Sequence, residues 1–185
     1  PNAYEESWDV VSGADASRVN GAAGNNSFGY VSPSIGGATI HASYFPGAAI
    51  GDSFYTDFGI KMSPEMVEGL EVGYAFGTSE ATAGTEIDES TMYVKYAMGA
   101  VTVGYQTSDY DATTAATSND SQMFGITYAI NDSFTVGYSQ STFDLGSSTT
   151  DQESDGISAS YTMGGITVAG AMNSTDNIAG STATT

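Results

Sequence analysis

The stretch from Glu89 to Asp176 contains one unit three times, and that repeat limits the fold more than any other feature of the chain. The copies run from Glu89 to Asp111, from Asp120 to Asp144 and from Glu153 to Asp176. Each opens with acidic or polar residues, continues as an alternating run that ends near a tyrosine, turns sharply, and returns as a second alternating run that ends in Ser, Thr and Asp. Tyr96, Tyr128 and Tyr161 mark the same point in the copies, about 32 residues apart, a period that helical solenoids also use. The internal alternation excludes helices. Val101, Val103 and Tyr105 alternate with Thr102, Gly104 and Gln106, and Phe134, Val136 and Tyr138 alternate with Thr135, Gly137 and Ser139. Each copy is therefore expected to be an antiparallel β-hairpin.

The two faces differ in chemistry. One carries Met92, Val94 and Tyr96; Phe124, Ile126 and Tyr128; Ile157, Ala159 and Tyr161; Ile166 and Val168. The other carries Thr91 and Lys95; Gly125 and Thr127; Ser158 and Ser160; Thr167 and Ala169. Alternation alone suits a β-sandwich as well as a membrane barrel, and three features favour the barrel. The connections alternate between tight turns (Met98 to Ala100, Ile130 to Asp132, Met163 to Gly165) and long acidic stretches (Thr107 to Asn119, Ser141 to Glu153), as in outer-membrane barrels. Tyrosines fall beside the turns (Tyr96, Tyr128, Tyr161) or toward the loop end of the return strand (Tyr74, Tyr105, Tyr138), where a polar ring suits a lipid–water interface. Gly59, Gly73, Ala75, Gly104, Gly125, Gly137 and Ala169 make the polar face small, which suits a wide, water-filled lumen.

Charge narrows the function further. Twenty-two acidic residues against 3 Lys plus Arg give a net charge of −19, which excludes a nucleic-acid partner because phosphates require a basic surface. Such a charge fits acidic loops or a cation-conducting lumen. Cysteine is absent, so there is no disulfide or thiolate chemistry. No apolar run is long enough for a transmembrane helix, which leaves a barrel open because its strands need only about 10 alternating residues. Pro1 to Asp15 has neither a basic nor an apolar leader region, so the chain is expected to be mature or a fragment. In residues 1–25, a short helix over Ala3 to Ser12 would align Tyr4, Trp8 and Val11 and project Glu5, Glu6 and Asp9 from another side, with Gly13 ending it. A solvated acidic loop is the plainer reading.

The next hairpin brings a family into view. Arg18, Asn26-Ser27, Tyr30, Ser32-Pro33, Ile35, Gly36 and a strand closing at Tyr44 form a pattern that resembles the Gram-negative general diffusion porins, particularly the α-proteobacterial branch. The resemblance implies an all-β, antiparallel transmembrane barrel in the outer membrane of a Gram-negative bacterium. It also implies passive diffusion of small hydrophilic solutes and ions, a homotrimer, and contact with outer-membrane lipid and lipopolysaccharide. Residues 1–25 would be the end of the loop that folds into the barrel, with Glu5, Glu6 and Asp9 as constriction acids and Arg18 as the matching wall cation.

Residues 26–176 are expected to form the wall as five hairpins, with strands near 27–32, 38–45, 53–62, 69–77, 90–98, 101–108, 121–130, 133–141, 154–163 and 165–173. Residues 177–185 form a polar tail that breaks the pattern. Family members have about sixteen strands, and an open strand edge in lipid would leave backbone groups unpaired. The chain is therefore read as an internal fragment of a larger barrel. On the wall, His41, Asp57, Lys61, Glu71 and Lys95 all take polar-face parity and are expected to line the lumen.

No nucleophile elbow, phosphate loop, zinc-protease or dinucleotide motif occurs, so the chain is not expected to be an enzyme. No cofactor or metal is expected. The acidic groups Asp109 and Asp111, and Asp151, Glu153 and Asp155, have oxygen ligands of the type that binds Ca²⁺ but not the EF-hand spacing, and solvated loop charge explains them. The alternative to a cation-preferring porin is a secreted acidic β-sandwich or adhesin-like interaction module.

Overall fold

The computed structural model describes residues 27–46, 54–80, 86–114 and 117–181. These fold into ten strands: β1 (Phe28–Val31), β2 (Ala38–Phe45), β3 (Phe54–Met62), β4 (Leu70–Glu80), β5 (Glu86–Met98), β6 (Val101–Asp111), β7 (Asn119–Asn131), β8 (Phe134–Leu145), β9 (Gln152–Met163) and β10 (Ile166–Asp176). They form a single sheet in chain order, each strand antiparallel to the next. Among the described residues there is no second sheet, which removes the β-sandwich alternative: a sandwich needs a second layer to cover its apolar face.

The apolar face has no protein over it. Phe58 is 42% exposed, Tyr161 48% and Met172 75%, and the same holds along β3 to β10. An apolar face of that extent in water would be an aggregation surface. Lipid removes the penalty. Four outward apolar residues in series, such as Phe124, Ile126, Tyr128 and Ile130, cover roughly 20 Å of strand, of the order of the ~25 Å apolar band of a membrane barrel. On the opposite face Gln106, Ser108, Ser121, Ser154 and Thr175 are buried. With no second layer above them, that enclosure comes from the sheet curling toward its polar side.

Turn chemistry fixes the register. Gly99 and Gly164 take φ of 59° and 61° in the tight turns after Met98 and Met163, a conformation that a Cβ disfavours. The β7–β8 turn lies at Asp132–Ser133, one step beyond the expected position. Its register shift at Ala129/Asn131 is stabilised by Asn131 Oδ1, which accepts from the backbone N–H of Ser133 at 2.9 Å and of Phe134 at 3.0 Å.

At the loop ends the strands run well past their expected limits. β5 begins at Glu86 instead of residue 90, β6 continues to Asp111, β8 to Leu145, and β9 begins at Gln152. The expected long stretches from Thr107 to Asn119 and from Ser141 to Glu153 are thus largely strand, and the connection between β8 and β9 shrinks to residues 146–151. Polar outward residues end the apolar band, but they do not end the backbone ladder, and hydroxyl pairs such as Thr91–Ser108 and Ser154–Thr175 join neighbouring strands across this polar zone. Part of the tail is also structured: Ile178–Gly180 forms a 3-10 turn, and the Ala179 N–H donates to Gln152 Oε1.

Arginine placed by parity tests the solvent on each side. Val136→Arg should destabilise the inserted protein by about 2–4 kcal/mol, whereas Thr135→Arg should be tolerated. Unfolding from lipid vesicles by denaturant checks this, and equal costs on the two faces would contradict the orientation.

Candidate functional site

The polar face of β3 to β5 gathers the wall's charge in two groups. Glu71 faces Lys95 directly across the β4–β5 ladder, and Lys61 lies on β3 opposite Gly73. Two lysines therefore reach one carboxylate: Lys61 Nζ sits 2.7 Å and Lys95 Nζ 3.3 Å from Glu71. The Tyr93 hydroxyl adds a third donor at 3.1 Å. Both lysines are substantially exposed, and such pairs contribute about 0.2–1 kcal/mol each. The cluster's effect is electrostatic placement more than stability: it fixes a net positive charge on the turn-side half of the wall.

The second group lies toward the loops. Asp57 shares a cross-strand row with Gly77 and Glu89. The Tyr55 hydroxyl, from β3, lies against Gly77 and donates to Glu89 on β5. The other Glu89 oxygen is buried without a partner. Asp57 and Lys61 are four positions apart on β3, about 13 Å at strand rise. That exceeds a Debye length of about 8–10 Å, so the fields of the two groups are largely separate.

Glycines on β4 make both groups possible. A Cβ at Gly73 would collide with the Tyr93 ring, and one at Gly77 with the Tyr55 hydroxyl. Tyrosines of β3 and β5 thus lie across β4 from opposite sides, and each ends on a carboxylate. The small face is not bare.

Of the expected site residues, the structure brings Lys61, Glu71 and Lys95 together, leaves Asp57 in the other group, and places His41 opposite Gly59, apart from both. Glu5, Glu6, Asp9 and Arg18 lie outside the described residues. Sequence reasoning missed Glu89, Tyr55 and Tyr93. Glu89 fell in a presumed loop, while Tyr93 already had inward parity between Thr91 and Lys95.

Most acids are elsewhere. Glu80, Glu86, Asp88, Asp109, Asp111, Asp120, Asp144, Glu153, Asp155 and Asp176 have outward parity, beyond the apolar band at the loop ends. Asp88 faces Asp111, Asp109 faces Asp120, Asp120 faces Asp144, and Glu153 faces Asp176. The net charge of the chain is therefore not the charge of the lumen. Among the described residues no three carboxylates or imidazoles converge as a metal ion requires. Asp120, outside the membrane span, has its carboxyl pushed above the usual range, first by burial and then by Asp109, Asp144 and Asp111.

A family model described as Gram-negative porin matches residues 2–181. The chain belongs to the Gram-negative porin family. Its fold resembles a solved porin at 19% identity and TM-score 0.62, over 81% of this chain and 55% of that one. It also resembles OmpT, an outer membrane protein of Vibrio cholerae, folded in vitro (14% identity, TM-score 0.61, 86% and 58% covered) and expressed in the outer membrane (14%, 0.63, 81% and 54%). No match was found among curated protein sequences. The porin chain spans little more than half the length of the structures it matches. Membership fixes the barrel class and the outer-membrane location.

Gly73→Ala should cost about 1–3 kcal/mol by overpacking against Tyr93, and more than Tyr93→Phe, which removes only the hydroxyl. Denaturant midpoints of the two variants decide it, and an Ala variant no less stable than the Phe variant would show that the ring does not rest on Gly73. The raised Asp120 carboxyl destabilises the folded state at neutral pH, and this penalty fades as pH falls through the folded value toward about 4, the ordinary value. Asp120→Asn should therefore gain about 0.2–1 kcal/mol at neutral pH by removing like charges directly opposite, and should gain less in mild acid. Thermal unfolding at the two pH values is the check.

Proposed function

We propose that this porin chain forms part of the wall of a water-filled channel for passive diffusion of small hydrophilic solutes and ions, with a preference for cations. One observation carries the reading: ten continuous strands present an uncovered apolar face on one side and a small, hydroxyl-rich, charged face on the other. That division suits lipid outside and water inside. Passage through such a lumen requires no chemical step, so the protein acts without catalysis and without a resident cofactor. Ca²⁺ and other cations would gather around the outward carboxylates as a diffuse screen.

The ten strands belong to a larger barrel of about sixteen, assembled as a homotrimer and in contact with lipid and lipopolysaccharide along its outward face. Residues 1–25 would form the end of an infolded loop that brings Glu5, Glu6 and Asp9 to the constriction opposite Arg18. On the wall, Asp57 and Glu89 attract cations at the loop side, and the Glu71 carboxylate tempers Lys61 and Lys95 at the turn side.

Reversal potentials in a KCl gradient across planar bilayers test this directly. Neutralising Glu5, Glu6 and Asp9 together should weaken the cation preference. Glu71→Gln should also weaken it, by about twofold in permeability ratio, because a unit charge ~10 Å away in water contributes ~0.4 kcal/mol. An anion-preferring parent channel, or one that neither substitution moves, would overturn the assignment.

A further inference from the structure

The chain that leaves β10 turns back across its neighbours. Beyond Asp176, the last residue of β10, the Ala179 N–H donates to Gln152 Oε1 on β9 at 3.1 Å. The Ser148 hydroxyl, in the connection after β8, donates to the Gly180 carbonyl at 3.4 Å, and the Asn177 side-chain amide donates to the Asp151 carbonyl at 3.1 Å. Residues 177–181 are therefore a strap laid from β10 over β9 to the end of β8. Gln152 shares inward parity with Ser154, whose hydroxyl meets that of Thr175, so the strap lies on the lumen side at the loop end. Gln152 beneath it is 4% exposed, whereas Ser158 and Thr162, inward on the same strand toward the turns, are open.

Backbone strain opposes this seating. Asn177, Ala179 and Gly180 have φ of 56°, 53° and 76°. Glycine adopts that region freely and asparagine with little difficulty, but the Cβ of Ala179 makes it unfavourable there. Gly180 is required for a second reason, since a Cβ on it would collide with Ser148. Strained residues of this kind persist only where surrounding contacts hold them. Here side chains of Gln152, Ser148 and Asn177 supply hydrogen bonds, and strain set against polar contacts at the rim places the strap among the elements that open first.

We propose that residues 177–181 form a two-state strap: seated across β9 it leaves the mouth open, and lifted from Gln152 it swings into the path of ions and interrupts the current. The proposal rests on the inward face lining a water-filled lumen, as the porin reading requires. The ladder ends at the Asp176–Glu153 pair and Thr175 is fully buried, so the hinge is Asn177. Five residues hinged there reach about 16 Å when extended, far enough to enter the lumen from the rim.

The test reads two quantities on the full-length protein and its variants: amide hydrogen exchange in peptides covering residues 146–152 and 177–181, and single-channel current in planar bilayers. Gln152→Ala removes the acceptor of the Ala179 N–H and should raise both the exchange of the strap and the frequency of brief partial closures roughly fivefold. Ala179→Gly relieves the strained φ at some cost in chain entropy, and should lower both roughly threefold. Thr135→Ala, inward at the turn end of β8, should change neither. Opposite shifts from two substitutions at one contact mark a switch, because most substitutions only loosen a fold.

Exchange that neither substitution moves would show that this contact does not hold the strap. Exchange that moves while the closures do not would show a structural clasp without a part in conduction. Either result overturns the proposal and leaves the porin reading intact. A protein that neither inserts nor conducts overturns the porin reading, and this proposal with it.

Discussion

Backbone hydrogen bonding in a medium without water is the constraint on which the rest of this structure depends. Each unpaired N–H or C=O in hydrocarbon costs several kcal/mol, so a strand in lipid must be paired along its whole crossing. The ladders from β2 to β10 meet this with unbroken register through the apolar band. The one register shift among the described residues, at Ala129/Asn131, falls at the edge of the β7–β8 turn, where a side-chain carbonyl serves the displaced N–H groups. Pro33, Pro46 and Pro64, which have no N–H to give, all sit in connections and not in strands.

Once the ladder is fixed, the faces follow from parity, and each face answers to a different solvent. Lipid tolerates Val, Ile, Phe and Tyr in any close-packed mixture, so the outward face needs only to be apolar. The inward face must stay wet yet rigid. On β4 the solution is local: Gly73 and Gly77 leave room for tyrosines from both neighbouring strands to lie flat, so that aromatic packing stiffens the wall without narrowing the lumen by a full ring. Each ring then delivers its hydroxyl to a carboxylate, which ties wall packing to pore charge.

The period-two pattern made the strands and faces legible from residues alone, because one alternating hairpin such as Val101 to Gln106 already excludes a helix. Strand ends were not legible. Sequence reading ended β6 near Ser108 because apolar residues stop there, whereas the ladder continues to Asp111 with Asp109 still outward. Glu89 was lost for the same reason, being taken as loop when it is an inward wall residue opposite Gly77. Composition left open whether the charge of −19 lies in acidic loops or in the lumen; on the strands the lumen face carries Asp57, Glu71 and Glu89 against Lys61 and Lys95, and the other described strand acids lie outward at the loop ends. A total charge has no parity, and only the register assigns each carboxylate to a side.

That redistribution changes how selectivity would arise. The outward carboxylates, from Glu80 on β4 to Asp176 on β10, surround the loop-side rim and not the narrow path of an ion. A sheet is about 10 Å from its packing neighbour, and the screening length at physiological salt is about 8 Å. Charge on the outer surface of the wall is therefore felt at the mouth, weakened, and hardly at all deeper in. Its effect would be to enrich cations at the mouth of the proposed channel, a steering effect that salt erodes quickly. An ion passing deeper through the proposed channel would meet Asp57 and Glu89 and then the Lys61–Glu71–Lys95 row, where the sign reverses. A cation preference of the proposed channel would be set in two places, a diffuse and salt-sensitive one at the rim and a short-range one on the wall, and the second would be under the control of a few named side chains.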